Sequence, residues 1–383
     1  MTQLPRPDRY QIVTLPGDGV GREVTDQAER VLERVQRAGV RLEVERIPCA
    51  GSYYVEHGKE WPDGSFERCK AADAILLGAI GHVGANGQPV RRADGELAGY
   101  EQVIGLRTKL DLYANQRPVR LFAGIKHGIS GEFREIWAPR NVDMVIFREN
   151  TEGAYAPGEF RLERGGAVEL VVSPTICTFK GAERIARRAF ELARRRHGAP
   201  SDGKRRVTCV DKSNVIRAHR LFRDVVRGVG AEYPEIELDY AYVDAFTVAL
   251  VARPERCDVV VAPNLPGDIV TDLAAFIQGG MGMAASGNIG DHHAMFEPIH
   301  GSAPDIAGKN LANPSASILS TAMMLRWLGE RYADDAASRA GDLVEAAVES
   351  AVVSGAACTR DLGGSKTTTE AADAILARLD ATL

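Results

Sequence analysis

The first 80 residues of this chain alternate between two side-chain periodicities. Gln11 to Leu15 reads as a strand, and Arg22 to Ala38 places Val24, Ala28, Val31, Leu32 and Val35 at helical spacing. Arg41 to Ile47 alternates as a second strand. Ala74-Ile75-Leu76-Leu77 is a short, wholly apolar run ending in Gly78. A strand apolar on both faces has to be covered on both, and helices recurring between strands supply the cover, so the fold class is α/β. The turn joining the first strand to the first helix reads Leu15-Pro16-Gly17-Asp18-Gly19-Val20-Gly21. A Rossmann dinucleotide loop spaces its glycines G-x-G-x-x-G, so that the backbone approaches a pyrophosphate and the helix then packs on the strand. Here the third glycine comes one residue early. Glu43 and Glu45 follow at about the right distance for a ribose contact, but they lie on an alternating strand where Glu is ordinary. A tight strand-to-helix turn that needs positive φ explains the run equally well.

The chain has 383 residues, enough for two domains sharing a large buried core. Charged residues make up 26% of it and the net charge is −5, with the two signs interspersed. That mixture recommends neither nucleic acid nor an anionic membrane as a partner. No stretch approaches the roughly 18 apolar residues of a membrane span, and MTQLPRPDRY lacks the apolar segment of a secretion signal. The six cysteines are scattered without a C-x-x-C pair, which reads as reduced, buried thiols and a cytoplasmic location. With no repeat or linker in view, the chain is expected to leave a first domain near residue 113 and return to it near 279. That gives a large domain of residues 1–112 and 279–383 and a small domain of 113–278.

Residues able to carry chemistry are spread along the chain. Asp244 lies in AYVDAF, and Asp268 and Asp272 lie four apart in NLPGDIVTD, with Gly267 fitting a helix start. Four apart on a helix is one face, and two carboxylates held together favour an oxygen-liganded cation such as Mg²⁺ or Mn²⁺. Two solvated acids in a first helical turn would give the same spacing. Lys212, in CVDKSN, follows an apolar strand; a lysine near a metal in a desolvated cleft can serve as a base, and one in a loop can equally be solvated. Arg107 and Arg117 bracket a strand-like segment in LRTKLDLYANQRP, and Arg148 opens RENTEGAY, which ends in Tyr155. Guanidinium forks suit carboxylates, although spacing does not reveal convergence. Late in the chain, HGSAPDIAGKNLANP is a loop whose amides could cradle phosphates. Its Asp305 could accept from ribose hydroxyls and would repel a 2′-phosphate, which favours NAD over NADP.

Taken in order, LPGDGVG, LRTKLDLYANQRPV, RENTEGAY, DKSN, YVDAF, NLPGDIVTD, HGSAPDIAGKNLANP and TRDLGGSKTTTEAADAI resemble the β-decarboxylating dehydrogenases, the isocitrate/isopropylmalate dehydrogenase family. The resemblance implies a two-domain isopropylmalate-dehydrogenase-like fold, not Rossmann, with mixed sheets flanked by helices and a discontinuous first domain. It implies a homodimer whose cleft draws on both subunits. The LPGDGVG loop, with Val20, would line the nicotinamide end of an NAD site. His300, Gly301, Ser302, Ala303, Asp305, Ile306 and Asn313 would hold its adenosine. Asp305 and Ile306 stand where NADP-dependent relatives commonly carry Lys and Tyr. Arg107, Arg117 and Arg148 match the substrate-carboxylate arginines, Tyr155 and Lys212 the catalytic pair, and Asp244, Asp268 and Asp272 the ligands of Mg²⁺ or Mn²⁺. Lys212, Asn214 and Asp244 would come from the second subunit. The implied reaction oxidises a 2-hydroxy diacid at C2, releases the β-carboxylate as CO₂ and reprotonates C3.

Specificity is expected to lie just before Arg107, in Tyr100-Glu101-Gln102-Val103-Ile104. Isocitrate enzymes place a Ser and an Asn here. Glu101 and Val103 disfavour a third carboxylate, and Ile104 stands where homoisocitrate enzymes carry Arg. Val103 and Ile104, with Val215 of the partner subunit, resemble an isopropylmalate pocket. The usual Gly-Leu-Leu run is absent, Pro266 replaces a common Phe, and residues 81–100, with Arg91 and Arg92, match no specificity pattern. The expected substrate is 3-isopropylmalate; D-malate, tartrate or an unusual 3-substituted malate meeting Arg91, Arg92 or Glu101 are the alternatives. A catalytically inactive subunit or a non-redox binding module is disfavoured, because every catalytic Tyr, Lys and Asp position is kept.

Overall fold

The computed structural model describes residues 4–156 and 158–383. In chain order the strands are β1 (Tyr10–Leu15), β2 (Leu42–Arg46), β3 (Ala74–Leu77), β4 (Ala114–Arg120), β5 (His127–Ile129), β6 (Glu132–Arg134) and β7 (Asp143–Glu149). There follow β8 (Phe160–Arg164), β9 (Ala167–Val172), β10 (Arg206–Asp211), β11 (Glu237–Tyr242), β12 (Val259–Ala262), β13 (Ala285–Ile289) and β14 (Ala294–Pro298). The α-helices are α1 (Val20–Val35), α2 (Ala50–His57), α3 (Ser65–Ala71), α4 (Leu106–Lys109), α5 (Phe179–Arg195) and α6 (Arg217–Gly230). The chain continues with α7 (Val243–Ala252), α8 (Asn264–Ile277), α9 (Ser315–Tyr332), α10 (Asp335–Val353) and α11 (Thr368–Asp380).

These elements form two compact units. The first comprises the chain up to Leu112, Leu121–Pro139 and Ala275–Leu383; the second comprises Tyr113–Arg120 and Arg140–Ala274. In the first unit β3, β1 and β2 run parallel, β14 joins β3 in parallel, and β13 pairs antiparallel with β14. The four residues of β3 are all buried, as expected for a central strand covered on both faces. The apolar stripe of α1 (Val24, Ala28, Val31, Leu32, Val35) is fully buried. The helix begins at Val20, two residues before the sequence pattern suggests, because the glycine-rich turn delivers the chain directly into it. Helix α10 is capped by the Asp334 carboxylate and α11 by a reciprocal Thr367–Glu370 capping box.

In the second unit β11, β10, β12 and β7 run parallel, and β4 pairs antiparallel with β7. Its core gathers Phe147, Ile185, Phe190, Val207, Phe222, Val226 and Val261, contributed by the sheet and by α5 and α6. The hairpin β8–β9 turns at Gly165 and Gly166, both at positive φ. The strand-like segment expected between Arg107 and Arg117 lies further along the chain as β4, Ala114–Arg120. Arg117 therefore sits mid-strand and does not end one.

Candidate active site

In the second unit, β4, β7 and the start of α8 bring five of the expected site residues together. Arg117 and Arg148 lie across neighbouring strands, and both are buried. The Arg148 guanidinium donates through Nη1 to Asp268 Oδ1 and through Nε to Asn264 Oδ1 (2.8 Å). Arg117 donates to Asn115 Oδ1 (2.7 Å) and to the Thr271 hydroxyl, and stands 3.4 Å from Asp272 and 3.7 Å from Asp268. The Tyr155 hydroxyl donates to Asp268 Oδ2 (2.9 Å), with the Arg148 guanidinium 5.3 Å from the centre of its ring. Two arginines thus neutralise two carboxylates one helical turn apart, and a phenol is fixed at the same oxygen pair. Burial raises the Asp272 carboxyl above its ordinary range and neighbouring Asp268 adds to that, while Arg117 opposes it.

Helix α8 begins at Asn264, so Gly267 lies inside its first turn and is not a helix start. A Cβ on Gly267 would come within 2.8 Å of Arg148 Cβ and Cγ. The glycine is required by the close approach of helix to strand that seats Arg148 against Asp268.

Lys212 and Asp244 form a separate group. Lys212 Nζ donates to Asp244 Oδ1 at 2.5 Å, and the ammonium holds that carboxyl below its ordinary value. Both line a cavity of about 350 Å³ with His219, Ile216, Val243, Thr247, Leu265, Pro266 and Ile269. Val215 is 65% exposed. Asn214 is exposed on the same loop, and its carbonyl accepts from Arg220 (3.4 Å). Among the described residues no three His, Cys, Asp or Glu side chains gather as a metal site. The triad Asp244, Asp268 and Asp272 is therefore not assembled within one chain: α7 commits Asp244 to Lys212, while α8 commits the other two to Arg117 and Arg148. Two oxygen donors on one helix face still suit a hard divalent cation once a further donor is supplied.

The first unit carries Arg107 and the glycine-rich turn. Arg107 Nη2 donates to Glu297 at 2.6 Å, Asn288 donates to the same oxygen at 2.7 Å, and Arg107 Nε is buried without a partner among the described residues. An orphaned guanidinium N–H is expensive to bury, and it suits a ligand carboxylate. In the turn, Gly19 has φ +53° and a Cβ there would overlap the Ser302 carbonyl, which also accepts from Val20 N–H (2.9 Å). Asp18 is fully buried and accepts from the N–H groups of Gly51 (3.0 Å), Ser52 (2.8 Å) and Gly81 (3.1 Å). Glu23 reaches from α1 to the N–H groups of Gly308 and Asn310 (3.1 Å). The turn 17–20 and the loop 300–310 are thereby stitched into one surface.

On that loop, Ala303 has φ +40°, Gly301 has open space where a Cβ would go, and the Asp305 side chain is exposed. Ile306 packs with Val20, Val24 and Ala312. The Asn313 side chain is held in place, its oxygen accepting from Ser315 N–H (3.0 Å) and its amide donating to Asp361 (3.0 Å). His300 is half-buried; Nδ1 lies 3.0 Å from the Gly301 carbonyl and Nε2 is enclosed without a partner among the described residues. An enclosed ring nitrogen beside an open, glycine-lined loop fits a heteroaromatic base, so the residues present suit a dinucleotide.

The segment expected to set specificity is a single π-helical turn, Glu101–Gly105, leading into α4, a geometry that often marks functional sites. Glu101 is not a free anion: Lys109 Nζ binds it and Arg92 stands 3.7 Å away. Arg92 is committed to Asp94 (2.6 Å), with Glu60 at 3.6 Å, and Arg91 to the Gly95 carbonyl (2.7 Å). Repulsion of a third carboxylate by Glu101 and recognition of a substituent by Arg91 or Arg92 both weaken accordingly. Val103 and Ile104, half-buried, are the residues of this turn that offer apolar surface.

The family model for isocitrate/isopropylmalate dehydrogenase matches residues 11–375. The chain belongs to this family. It is 40% identical over 344 residues to the 3-isopropylmalate dehydrogenase of Bifidobacterium longum (strain DJO10A), covering 89% of this chain and 93% of that protein. It is 38% identical over 371 residues to the 3-isopropylmalate/3-methylmalate dehydrogenase of Methanocaldococcus jannaschii, covering 97% and 99%. The crystal structure of isocitrate dehydrogenase from Methylococcus capsulatus superposes with a TM-score of 0.80 at 36% identity, covering 97% of this chain and 99% of that one. The mixed α/β architecture matches the family fold.

Within this family frame, several supporting residues escaped the sequence reading. Asn264 and Thr271 share a face of α8 with Asp268 and Asp272, and the 264/268/271/272 spacing was available as a signal. Glu297 was marked by being a carboxylate inside the buried run AMFEP. Asp361, in TRDLGG, and Asp18 carried no local signal, because each acts on segments distant in sequence.

The histidines also set a pH limit on stability. Burial lowers the pKa of His300, and burial with neighbouring cations lowers that of His293. A histidine depressed in the folded state binds its proton more readily when unfolded, so stability is full at higher pH and is lost as pH falls below the unfolded value of about 6.5. Melting temperature is expected to be level from about pH 7.5 to 7 and to fall between about pH 6.5 and 5, with a shallower fall in His300→Asn and His293→Asn. An unchanged slope in both variants would reject this assignment.

Proposed function

We propose that this protein catalyses the NAD-dependent, divalent-metal-dependent oxidative decarboxylation of a 3-substituted malate, with 3-isopropylmalate as the substrate. The observation that carries the reading is the group of Arg117, Arg148, Asp268 and Asp272 on β4, β7 and α8, with Tyr155 from the segment after β7. Two buried guanidinium groups recognise substrate carboxylates by fork geometry, and Arg107, with its unused Nε, supplies a third. Asp268 and Asp272, with Asp244 of the partner subunit, would hold a divalent cation, which would supply Lewis acidity to the substrate, and NAD⁺ on the 300–313 loop would supply the hydride acceptor. Lys212 takes the C2 hydroxyl proton as the hydride leaves. Loss of the β-carboxylate as CO₂ leaves an enolate, and Tyr155 protonates it at C3. Asp305 accepts from the adenosine ribose. Val103 and Ile104, with Val215 of the partner subunit, give the C3 substituent an apolar wall, and this favours isopropyl over a third carboxylate.

The reading includes a homodimer. Val248 on α7 is 70% exposed and Ile269 on α8 is 54% exposed, with Val251 and Leu265 also open. Such apolar helix faces are suited to a second copy, whose Lys212, Asn214 and Asp244 would complete each site.

The test is initial-rate reduction of NAD⁺ with Mg²⁺ or Mn²⁺ over 3-isopropylmalate, D-malate, the tartrates, isocitrate and homoisocitrate. A kcat/KM for 3-isopropylmalate at least about a hundredfold above the others, worth roughly 2.7 kcal/mol, is expected. Comparable rates on D-malate or tartrate would move the assignment to those substrates. Absence of NADH formation from every one of them would overturn it.

A further inference from the structure

We propose that His219 is a positioning residue for Lys212. This rests on the reading above that Lys212 acts in catalysis, but the structural argument is separate. Lys212 is the first residue after β10, on a turn closed by the N–H groups of Val215 (3.2 Å) and Ile216 (2.9 Å) donating to its carbonyl. A long side chain on such a turn is aimed only as well as its backbone is held. The turn is tied to the first two turns of α6 at successive joints. Arg223 binds Asp211 through Nε (2.7 Å) and Nη2 (2.9 Å), and Arg220 Nε donates to the Ser213 carbonyl (2.9 Å). Between them, Lys212 N–H donates to His219 Nδ1 at 3.0 Å.

That hydrogen bond fixes the chemistry of the ring. Nδ1 can accept only if it carries no proton, so His219 is held neutral with its proton on Nε2. The ring is buried and lines the same cavity as Lys212 and Asp244. Since Nδ1 is spent on the backbone, Nε2–H is the donor left to the cavity wall. His219 thus holds the lysine's backbone from one side while Asp244 holds its ammonium from the other (2.5 Å). The two contacts fix both ends of the side chain. An alanine at 219 leaves the Lys212 N–H unpaired and one end free.

Three variants test this: His219→Ala, His219→Asn, whose amide oxygen can occupy the Nδ1 position, and Lys212→Met. Hydrogen–deuterium exchange of the peptide spanning residues 211–216 is the arm that needs no substrate. Exchange at Lys212 N–H is expected to rise at least about tenfold in His219→Ala and to return to near wild type in His219→Asn. On the best substrate of the panel, kcat is expected to fall roughly 10- to 100-fold in His219→Ala with KM for NAD⁺ unchanged, and to recover in His219→Asn. Unchanged exchange in His219→Ala overturns the proposal, and so does a loss of kcat that Asn fails to rescue. If exchange behaves as expected but Lys212→Met keeps full activity, the positioning stands and the catalytic reading of Lys212 fails instead.

Discussion

A heterodimer of one Lys212→Met chain and one Tyr155→Phe chain, isolated through two different affinity tags, is expected to retain about half of wild-type kcat per dimer, one site of a symmetric pair being intact. Each parent homodimer is expected to fall by roughly 10³, the scale of losing a proton-transfer group. The expectation follows from the separation seen in the second unit. Tyr155 is bonded to Asp268 beside Arg148, whereas Lys212 is bonded to Asp244, and no three potential metal ligands gather among the described residues. If each site takes its tyrosine from one chain and its lysine from the other, the crossed heterodimer restores one whole site. The reciprocal control places both substitutions in one chain and pairs it with a wild-type chain. Both sites then lose a member, and activity should stay near the parental level. Half activity in the control with none in the crossed pair would mean that each chain supplies both groups to its own site, and the shared-site proposal would be wrong.

Replacing Asp305 by Lys together with Ile306 by Tyr is expected to shift the ratio of kcat/KM for NADP⁺ over NAD⁺ by roughly 10²–10³, about 3–4 kcal/mol, the scale of turning a like-charge contact into an attractive one. The Asp305 carboxylate is exposed on the loop that carries His300 and Ala303, and that loop is stitched to the glycine-rich turn through Val20, Gly308 and Asn310. The Lys309 ammonium donates to the Asp305 carbonyl (2.7 Å) and keeps its charge beside this residue, so Asp305→Lys adds a second cation to the one already there. A doubly substituted protein that keeps its preference within about threefold would show that this loop does not read the 2′ position.

Much of the molecule was legible in the sequence, in places that share a physical character. Local periodicity identified β1, β2, β3, β10 and α1, because a buried strand or an amphipathic helix writes its environment into consecutive side chains. The carboxylates of α8 were legible as a pair because Asp268 and Asp272 are one helical turn apart. Spacing did not reveal that β4 and β7 bring Arg117 and Arg148 to that pair: an antiparallel register between residues 114–120 and 143–149 leaves no local mark. Spacing alone also suggested charges that the fold cancels. Glu101 reads as a free anion and Arg92 as a free cation until Lys109, Asp94 and Glu60 come alongside.

By itself, then, the sequence determined the α/β class, the order of the motifs and the identity of the residues able to move protons and bind carboxylates. Which of those residues share a site was decided only by the tertiary structure. It placed Tyr155 with Asp268 and Lys212 with Asp244, tied Lys212 to His219, and joined Val20 to Ser302. The physical reason is range. Periodicity and capping act over a few residues and are written locally, whereas ion pairs and buried hydrogen bonds join side chains that only the packed sheets and helices bring within 3 or 4 Å of each other.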